Sequence, residues 1–425
     1  MKEMHRVRVS PAKLNGTISV PPSKSAAHRA IICAALSEGV SVLQPVDLSN
    51  DIIATIECMK KLGAAFYMEG DRVTVTGITL RPESAQLHCG ESGSTLRFLI
   101  PVAAALGVSA RFTGSGKLPE RPIGVYTDCL PGKGVPCRTE GGLPLEISGQ
   151  LSSGKYEIPG NISSQFVTGL LLALPMLEGD SEIILSSPLQ SVGYINMTLQ
   201  TMESCGVRVR ASENGWFIPG GQKYTAGDHK VEGDWSQAAF FMTAAALGGE
   251  ITIDNLDMNS TQGDKACVEI YKRLGADISI VDDKLIMKGG RLHGIELDAA
   301  DIPDMVPAFS VAAALAEGKT VIRGAARLRI KECDRLAAMR DGLSRLGAKI
   351  EETEDGLVIE GVKALRGGEV EGYNDHRIVM SMAVAAAACG EDIIISDMES
   401  INKSYPSFFE DYQSLGGIKD VIMGE

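Results

Sequence analysis

The sequence predicts an α/β protein of two similar domains, each built from three like units packed around three buried helices. Three observations predict it. The same phrase occurs six times: an apolar, Ala-rich helix, a glycine, then a short β-branched strand, with the glycines at Gly39, Gly107, Gly179, Gly248, Gly318 and Gly390. A second series, a helix ending in a glycine before another strand, falls at Gly63, Gly134, Gly206, Gly275, Gly347 and Gly416. Both series advance by about 70 residues, longer than solenoid periods of roughly 20–50. At 425 residues the chain is also too long for one ordinary core.

The first helix of each copy is predicted over about Ser25–Leu36 and then from near Ser94, Ser164, Ser236, Asp304 and Asp375. Each opens on Ser or Asp, whose oxygen can accept from an unpaired N–H of the first turn. Beyond that turn most are apolar nearly all round, the mark of a buried helix. The second helices, at 51–62, 264–274 and 334–346, are amphipathic and belong on the surface. Strands follow, as at 72–76 and 285–288, with polar turns such as Asp282-Asp283 and Glu354-Asp355-Gly356. Each copy therefore reads helix, strand, helix, strand, turn, strand. The buried helices should lie near parallel, with their N-termini on one face. Each N-terminus carries about half a positive charge, and two such faces meeting across a cleft would attract an anion. Residues 20–228 should form one domain. Residues 229–425, joined by 1–19 crossing over, should form a discontinuous second one, with Pro219-Gly220-Gly221 near the boundary.

Composition excludes several functions. A net charge of −13 argues against nucleic acid or an anionic membrane as partner. The nine cysteines include no C-x-x-C pair, and several sit in apolar helices, as free thiols of a reducing cytoplasm would. Six histidines with no H-E-x-x-H leave no metal site legible. The first residues lack an apolar signal core, and no apolar run reaches membrane-spanning length. Nothing demands more than a monomer.

Helix dipoles contribute only about 0.3–1 kcal/mol each, too little to hold a polyanion in water. The chain adds cations and hydroxyls where the helices start. Lys24 and Ser25 open the first buried helix, with Arg29 about a turn inside it. Gly90-Glu91-Ser92-Gly93-Ser94-Thr95 and Arg97 open the second, and Gly lets backbone N–H groups approach an anion. Arg121 stands before Pro122. Asn161, Ser163, Ser164 and Gln165 open the third buried helix, and Ser191 with Tyr194 follow. Asp304 starts the fifth, where the plain alternative is a cap. Arg329-Ile330-Lys331-Glu332-Cys333-Asp334-Arg335 opens a surface helix, where five charges in seven residues usually mark a solvated face. Asn374-Asp375-His376-Arg377 opens the sixth buried helix, and Lys403-Ser404-Tyr405-Pro406 follows it. Singly most of these are ordinary caps or surface charges. Jointly they are specific, because nearly all fall at helix starts or in the loops beside them.

These segments, in this order and over the full chain, closely resemble the 5-enolpyruvylshikimate-3-phosphate synthase (3-phosphoshikimate 1-carboxyvinyltransferase) family of enolpyruvyl transferases. The most specific pieces are Ser23-Lys24-Ser25 with Arg29, the run from Arg329 to Arg335, and Asp375-His376-Arg377. The resemblance implies two domains of three βαβαββ units each, an inside-out α/β barrel, with the ligand cleft between the domains. It implies transfer of the enolpyruvyl group of phosphoenolpyruvate to the 5-hydroxyl of shikimate 3-phosphate, releasing phosphate, in aromatic amino-acid biosynthesis. Carried over by match, shikimate 3-phosphate would be held by Lys24, Ser25, Arg29, Ser163, Ser164, Gln165, Ser191, Asp304 and Lys331. Phosphoenolpyruvate would be held by Lys24, Gly93, Arg121, Gln165, Arg335, Arg377 and Lys403. Asp304 matches the family's base, and Glu332 and Lys24 match the groups that handle the methyl proton. No cofactor and no metal are implied. Domain closure would exclude water.

Two positions depart from the family. Glu91 stands where Asn is usual, beside the phosphoenolpyruvate pocket, and Arg327 stands where some members use Asn. Gly93 keeps the small residue expected for phosphoenolpyruvate, and hence glyphosate, binding. A sister family acting on UDP-N-acetylglucosamine shares the fold and reaction, but carries a loop cysteine before its Arg-Pro pair. Here Gly114-Ser115-Gly116-Lys117-Leu118-Pro119-Glu120 has none. A non-catalytic phosphometabolite sensor would not need Asp304 and Glu332 beside the cations.

Overall fold

The computed structural model describes residues 5–422. Among these, twelve α-helices alternate with β-strands: α1 (Lys24–Leu36), α2 (Asn50–Lys61), α3 (Gly93–Ala105), α4 (Gly124–Cys129), α5 (Ser164–Ala173), α6 (Val192–Ser204), α7 (Trp235–Ala246), α8 (Cys267–Leu274), α9 (Val306–Ala313), α10 (Arg335–Arg345), α11 (His376–Ala385) and α12 (Phe408–Ser414). The odd-numbered helices are the apolar ones. All twelve residues of α7 are buried, and only Ser94 of α3 is not. Their alanines let neighbouring backbones approach, and α7, α9 and α11 pack on one another. The amphipathic α2 buries Ile52, Ile56 and Met59, while its last turn carries Lys60 and Lys61, favourable at a helix C-terminus.

The strands form six four-stranded sheets of one design. Ser84–His88 runs into α3 and returns as Ser109–Thr113, parallel to it. Beyond α4, the hairpin Cys137–Arg138 and Leu145–Ile147 completes the sheet, with Leu145–Ile147 antiparallel to Ser109–Thr113. This is the predicted βαβαββ unit. Period-2 burial sets the register: Val7 and Val9 are buried in Arg6–Ser10 while Arg8 is exposed. That first strand lies antiparallel between Ile393–Ile395 and Ile418–Ile422, so the start of the chain completes its last sheet.

The chain divides into two compact units, one of residues up to Pro21 with those from Gly233 onward, the other Pro22–Glu232. Each closes its own apolar core around three of the buried helices. The sequence predicts the crossings after residues 19 and 228; the structure has them after Pro21 and Glu232. The reason is local pairing. Asp228–Lys230 lies parallel to Val42–Gln44 and stays with the Pro22–Glu232 unit, while Asn15–Ser19 lies parallel to Glu250–Asp254 in the other.

Four caps fall one or two residues upstream of their predicted places: Ser23, Ser92, Ser163 and Asp234 accept the first-turn N–H bonds of α1, α3, α5 and α7, while Asp375 caps α11 where the sequence places it. Lys24 is thus inside the first turn rather than before it. All six glycines of the second series have φ between 80° and 109°, the left-handed closure that ends a helix. At Gly63 a Cβ would lie 2.3 Å from the Leu80 carbonyl oxygen, so only glycine fits. No helix among the described residues is long and apolar enough to cross a membrane.

A buried polar chain joins α1, α2 and α3. His28 Nδ1 meets Thr55 Oγ1 at 2.8 Å, Thr55 meets Thr95 at 2.7 Å, and Thr95 donates to Ser92 Oγ at 2.8 Å. Burial first, and then the charges of Lys24 and Arg29, hold the His28 imidazole well below the ordinary histidine range. The folded protein keeps His28 neutral, while the unfolded chain protonates it below about pH 6.5. Stability should therefore fall as pH drops below about 6.5, with this residue contributing up to about 1.4 kcal/mol per pH unit. Denaturant unfolding across that range should show a shallower acid-side loss in His28→Gln than in the parent, and an unchanged slope would remove His28 as its source.

Candidate active site

In the Pro22–Glu232 unit, the chemistry gathers at the N-termini of α1, α3, α5 and α6. Lys24 Nζ pairs with Asp51 Oδ2 at 2.7 Å, both side chains largely buried. Arg29 is buried and held by Thr198 Oγ1 (2.8 Å), the Ser25 carbonyl (2.7 Å) and the Tyr194 carbonyl (3.0 Å). It also lies over the Phe98 and Tyr194 rings. Burial lowers its pKa to about 10, still charged at neutral pH. These contacts tie α1 to α6, whose cap Ser191 has φ 59°, a rare conformation for a non-glycine residue.

Arg97 ties α3 to α5. It donates to Gln165 Oε1 (2.6 Å) and the Pro122 carbonyl (3.0 Å), over the Phe166 ring at 5.0 Å. Gln165 Nε2 in turn donates to Ser94 Oγ at 3.0 Å, which fixes the orientation of the amide. Ser163 caps α5 and Ser164 is its first residue. Arg121 lies flat on Gly93: a Cβ there would sit 2.8 Å from Arg121 Nη2. The absent side chain of Gly93 is what gives the guanidinium its place.

In the other unit the centre is Arg335, 2% exposed. Its Nε donates to Asp375 Oδ2 (2.7 Å) and Nη2 to Asp375 Oδ1 (3.3 Å); Nη2 also reaches Glu332 Oε2 (2.8 Å) and Nη1 reaches Asp304 Oδ1 (2.9 Å). Burial alone would lower the Arg335 pKa, but Asp375, Glu332 and Asp304 together raise it well above its ordinary range. Around Asp304 stand two more cations, Lys331 Nζ at 3.7 Å and Arg377 Nη2 at 3.6 Å. Arg377 also donates to the Asp304 carbonyl and to Ser236 Oγ, both at 2.9 Å, drawing the N-termini of α7, α9 and α11 together. Lys403 Nζ donates to the Asn374 carbonyl beside them.

Asp304 does not stand at the cap position of α9, which Met305 takes. It lies in a 3₁₀ turn, Pro303–Met305, and its carboxylate accepts from Arg335. Proline at the start of that turn removes one N–H that a cap would otherwise satisfy.

The structure thus brings Lys24, Ser25, Arg29, Gly93, Arg121, Ser163, Ser164, Gln165 and Ser191 to the helix starts of one unit. It brings Asp304, Lys331, Glu332, Arg335, Arg377 and Lys403 together in the other. Among the described residues, no group of three or more His, Cys, Asp or Glu could hold a metal ion. Both departures from the family pattern have visible positions. The Glu91 carboxylate lies on Gly116, where a Cβ would be 2.3 Å from its Oε2. Arg327 donates to the Ala300 carbonyl, four residues before Asp304.

Each unit thus gathers cations at repeated helix N-termini, an arrangement suited to anionic ligands, and one adds carboxylates to them. Comparison with known proteins narrows the reading. The family model for EPSP synthase (3-phosphoshikimate 1-carboxyvinyltransferase) matches residues 9–412. A 3-phosphoshikimate 1-carboxyvinyltransferase of Clostridium novyi (strain NT) is 46% identical over 429 residues, covering 98% of this chain and 99% of its own. One from Clostridium perfringens (strain ATCC 13124) is 47% identical over 420 residues, with the same coverage. The solved EPSP synthase of Acinetobacter baumannii superposes with a TM-score of 0.84 at 29% identity, covering 99% of this chain and all of that one.

The chain belongs to the EPSP synthase family. Its reaction is accordingly enolpyruvyl transfer in the shikimate pathway, and it is a transferase. The sister activity on UDP-N-acetylglucosamine and the sensor reading are not favoured by these relatives.

Several residues that hold these side chains have roles that their own sequence signals did not show. Asp375 looked like a cap in an Asp-His-Arg run; it is one, accepting from Arg377 N at 2.8 Å, but it is also the main counter-ion of Arg335. Asp51, Thr198 and Ser236 hold Lys24, Arg29 and Arg377 from sequence distances that no local pattern spans. Removing one partner of a buried pair costs about 3–5 kcal/mol, because the other charge is left behind. Asp375→Ala should therefore destabilise its unit by about that much, seen as a lower denaturant midpoint. A loss under about 1 kcal/mol, no more than an ordinary cap, would deny it that role.

Proposed function

We propose that phosphoenolpyruvate is held by Lys24, Gly93, Arg121, Gln165, Arg335, Arg377 and Lys403. Shikimate 3-phosphate is held by Lys24, Ser25, Arg29, Ser163, Ser164, Gln165, Ser191, Asp304 and Lys331. The enzyme acts in the cytoplasm as a monomer; its nine free cysteines support the reducing compartment. Guanidinium forks suit the phosphoenolpyruvate carboxylate, while hydroxyls and helix N–H groups suit phosphate. The observation that carries the proposal is the Arg335 cluster, where Glu332 and Asp304, at 2.8 and 2.9 Å, share with Asp375 one buried cation.

The chemistry follows from that pairing. An acid protonates the methylene carbon of phosphoenolpyruvate, and the neighbouring carbon becomes electrophilic. The 5-hydroxyl adds there as Asp304 takes its proton. Asp304 stands among Arg335, Lys331 and Arg377, at 2.9, 3.7 and 3.6 Å, which hold its carboxylate in place. The tetrahedral intermediate then loses a methyl proton and its phosphate, which leaves with the hydroxyl proton as hydrogen phosphate. Acid–base help of this kind is worth about 10²–10⁴ in rate for each group.

Phosphate release from phosphoenolpyruvate should require shikimate 3-phosphate and ignore UDP-N-acetylglucosamine; release only with the sugar nucleotide would overturn the acceptor. Asp304→Ala and Glu332→Ala should each lower turnover by about 10²–10⁴ with the folded circular dichroism spectrum kept. Near-normal rates in both would remove the acid–base assignment.

A further inference from the structure

A guanidinium has five N–H donors, and the Pro22–Glu232 unit engages three of those on Arg29. Nε donates to Thr198 Oγ1 at 2.8 Å, Nη2 to the Tyr194 carbonyl at 3.0 Å, and Nη1 to the Ser25 carbonyl at 2.7 Å. Among the described residues no acceptor meets the other hydrogen of Nη1 or of Nη2, on a side chain only 2% exposed. A buried donor without a partner is costly, so these two hydrogens point to a ligand.

The acceptors decide which two are left. Thr198 Oγ1 and the Tyr194 carbonyl oxygen stand 2.9 Å apart, one turn from each other on α6. Together they take the parallel hydrogens of Nε and Nη2. The Ser25 carbonyl lies one turn back on Arg29's own helix, on the stem side of the guanidinium, and takes the outer hydrogen of Nη1. What remains is the Nη1–Nη2 edge, a planar fork that matches a carboxylate or a phosphate. The Phe98 and Tyr194 rings pack against the guanidinium at 5.2 and 5.9 Å. The hydrogen bonds to α6 set the direction in which the fork points.

Thr198 is itself held. A hydroxyl donates once and accepts twice. Thr198 gives its proton to the Tyr194 carbonyl, so the proton in its 3.1 Å contact with Thr168 Oγ1 belongs to Thr168. Its two acceptor positions then take Arg29 Nε and Thr168. Both threonines are fully buried. Thr168 lies on α5, one turn beyond Ser164, so the two hydroxyls join α5 and α6 to the arginine of α1. Neither threonine is charged or stands at a helix start.

We propose that Thr198 and Thr168 are positioning residues for shikimate 3-phosphate, holding Arg29 by its Nε side so that the Nη1–Nη2 edge is presented to an anionic group of that substrate. The inference rests on the placement of shikimate 3-phosphate at Arg29. Neither threonine touches the substrate. Each acts through the guanidinium, so removing its hydroxyl weakens the hold on one substrate and leaves the other alone.

Steady-state phosphate release tests this with Thr198→Val, which keeps the shape of the side chain and removes the hydroxyl. The KM for shikimate 3-phosphate should rise about 10-fold to 100-fold, the scale of a lost hydrogen bond to a charged group, while kcat and the KM for phosphoenolpyruvate stay within about threefold. Thr198→Ser, which restores the hydroxyl, should return the constant to near its parental value, and Thr168→Val should raise it several-fold. Arg29→Lys keeps the charge without the fork and should raise the same constant. Adding Thr198→Val to Arg29→Lys should then change little, because the two residues act as one unit. Thermal unfolding is recorded for each variant, and Thr168→Val carries the comparison if Thr198→Val does not fold. With Arg29→Lys impaired, a parental constant in Thr198→Val, equal rises for both substrates, or additive effects in the double variant overturn the positioning role and leave the placement standing. A parental constant in Thr168→Val alone removes Thr168 from the pair. A parental constant in Arg29→Lys sinks the placement of shikimate 3-phosphate at Arg29, and the positioning role with it.

Discussion

One buried guanidinium organises the cluster of charged side chains in the unit from Gly233 onward. Arg335 is held at its base by Asp375, which is fully buried and is itself the cap of α11. Taking an ion pair out of water is costly, and replacing one by apolar side chains is often neutral or stabilising. The cluster is therefore poorly explained as a device for stability. It is well explained as a means of holding Asp304 and Glu332 within 2.9 Å of one cation, at the starts of three helices drawn together by Arg377.

The repeat supplies the frame, and the two units use it differently. In Pro22–Glu232 the buried helices are capped by the neutral hydroxyls of Ser23, Ser92 and Ser163. A neutral cap satisfies an N–H without cancelling the positive helix terminus, which leaves that terminus for an anion. In the other unit Asp234 and Asp375 cap α7 and α11. A carboxylate there offsets the dipole; that of Asp375 also anchors Arg335, and that of Asp234 holds Ser236, which accepts from Arg377. One unit presents neutral-capped helix N-termini beside its cations, and the other presents guanidinium forks paired with carboxylates.

Much of this was legible in the chain. Glycine spacing and all-round apolar helices gave six copies, and the cations at helix starts gave the candidate residues that the structure gathers at the helix N-termini of each unit. Such features are local, so a single sequence displays them. What was not legible was the pairing between copies. Nothing near Asp51 marks it as the partner of Lys24, and nothing near Ser236 marks it as a ligand of Arg377, because those contacts span 27 and 141 residues. Asp304 could be read as a cap or as a base, and only the 3₁₀ turn Pro303–Met305 removes the cap. The crossings moved by two to four residues because Asp228–Lys230 finds a parallel partner in Val42–Gln44, a long-range pairing that composition cannot announce.

The central claim is that the geometry of the Arg335 fork, and not merely its charge, sets the catalytic carboxylates. Arg335→Lys tests it, because lysine keeps the cation but is a point charge with no planar fork. The measurement is kcat/KM for phosphoenolpyruvate at saturating shikimate 3-phosphate, with thermal unfolding recorded beside it. The account expects a loss of at least about 100-fold, roughly the scale of one misaligned catalytic group, in a protein that still unfolds cooperatively. A folded Arg335→Lys enzyme with near-parental kcat/KM would show that charge alone suffices, and would contradict the account.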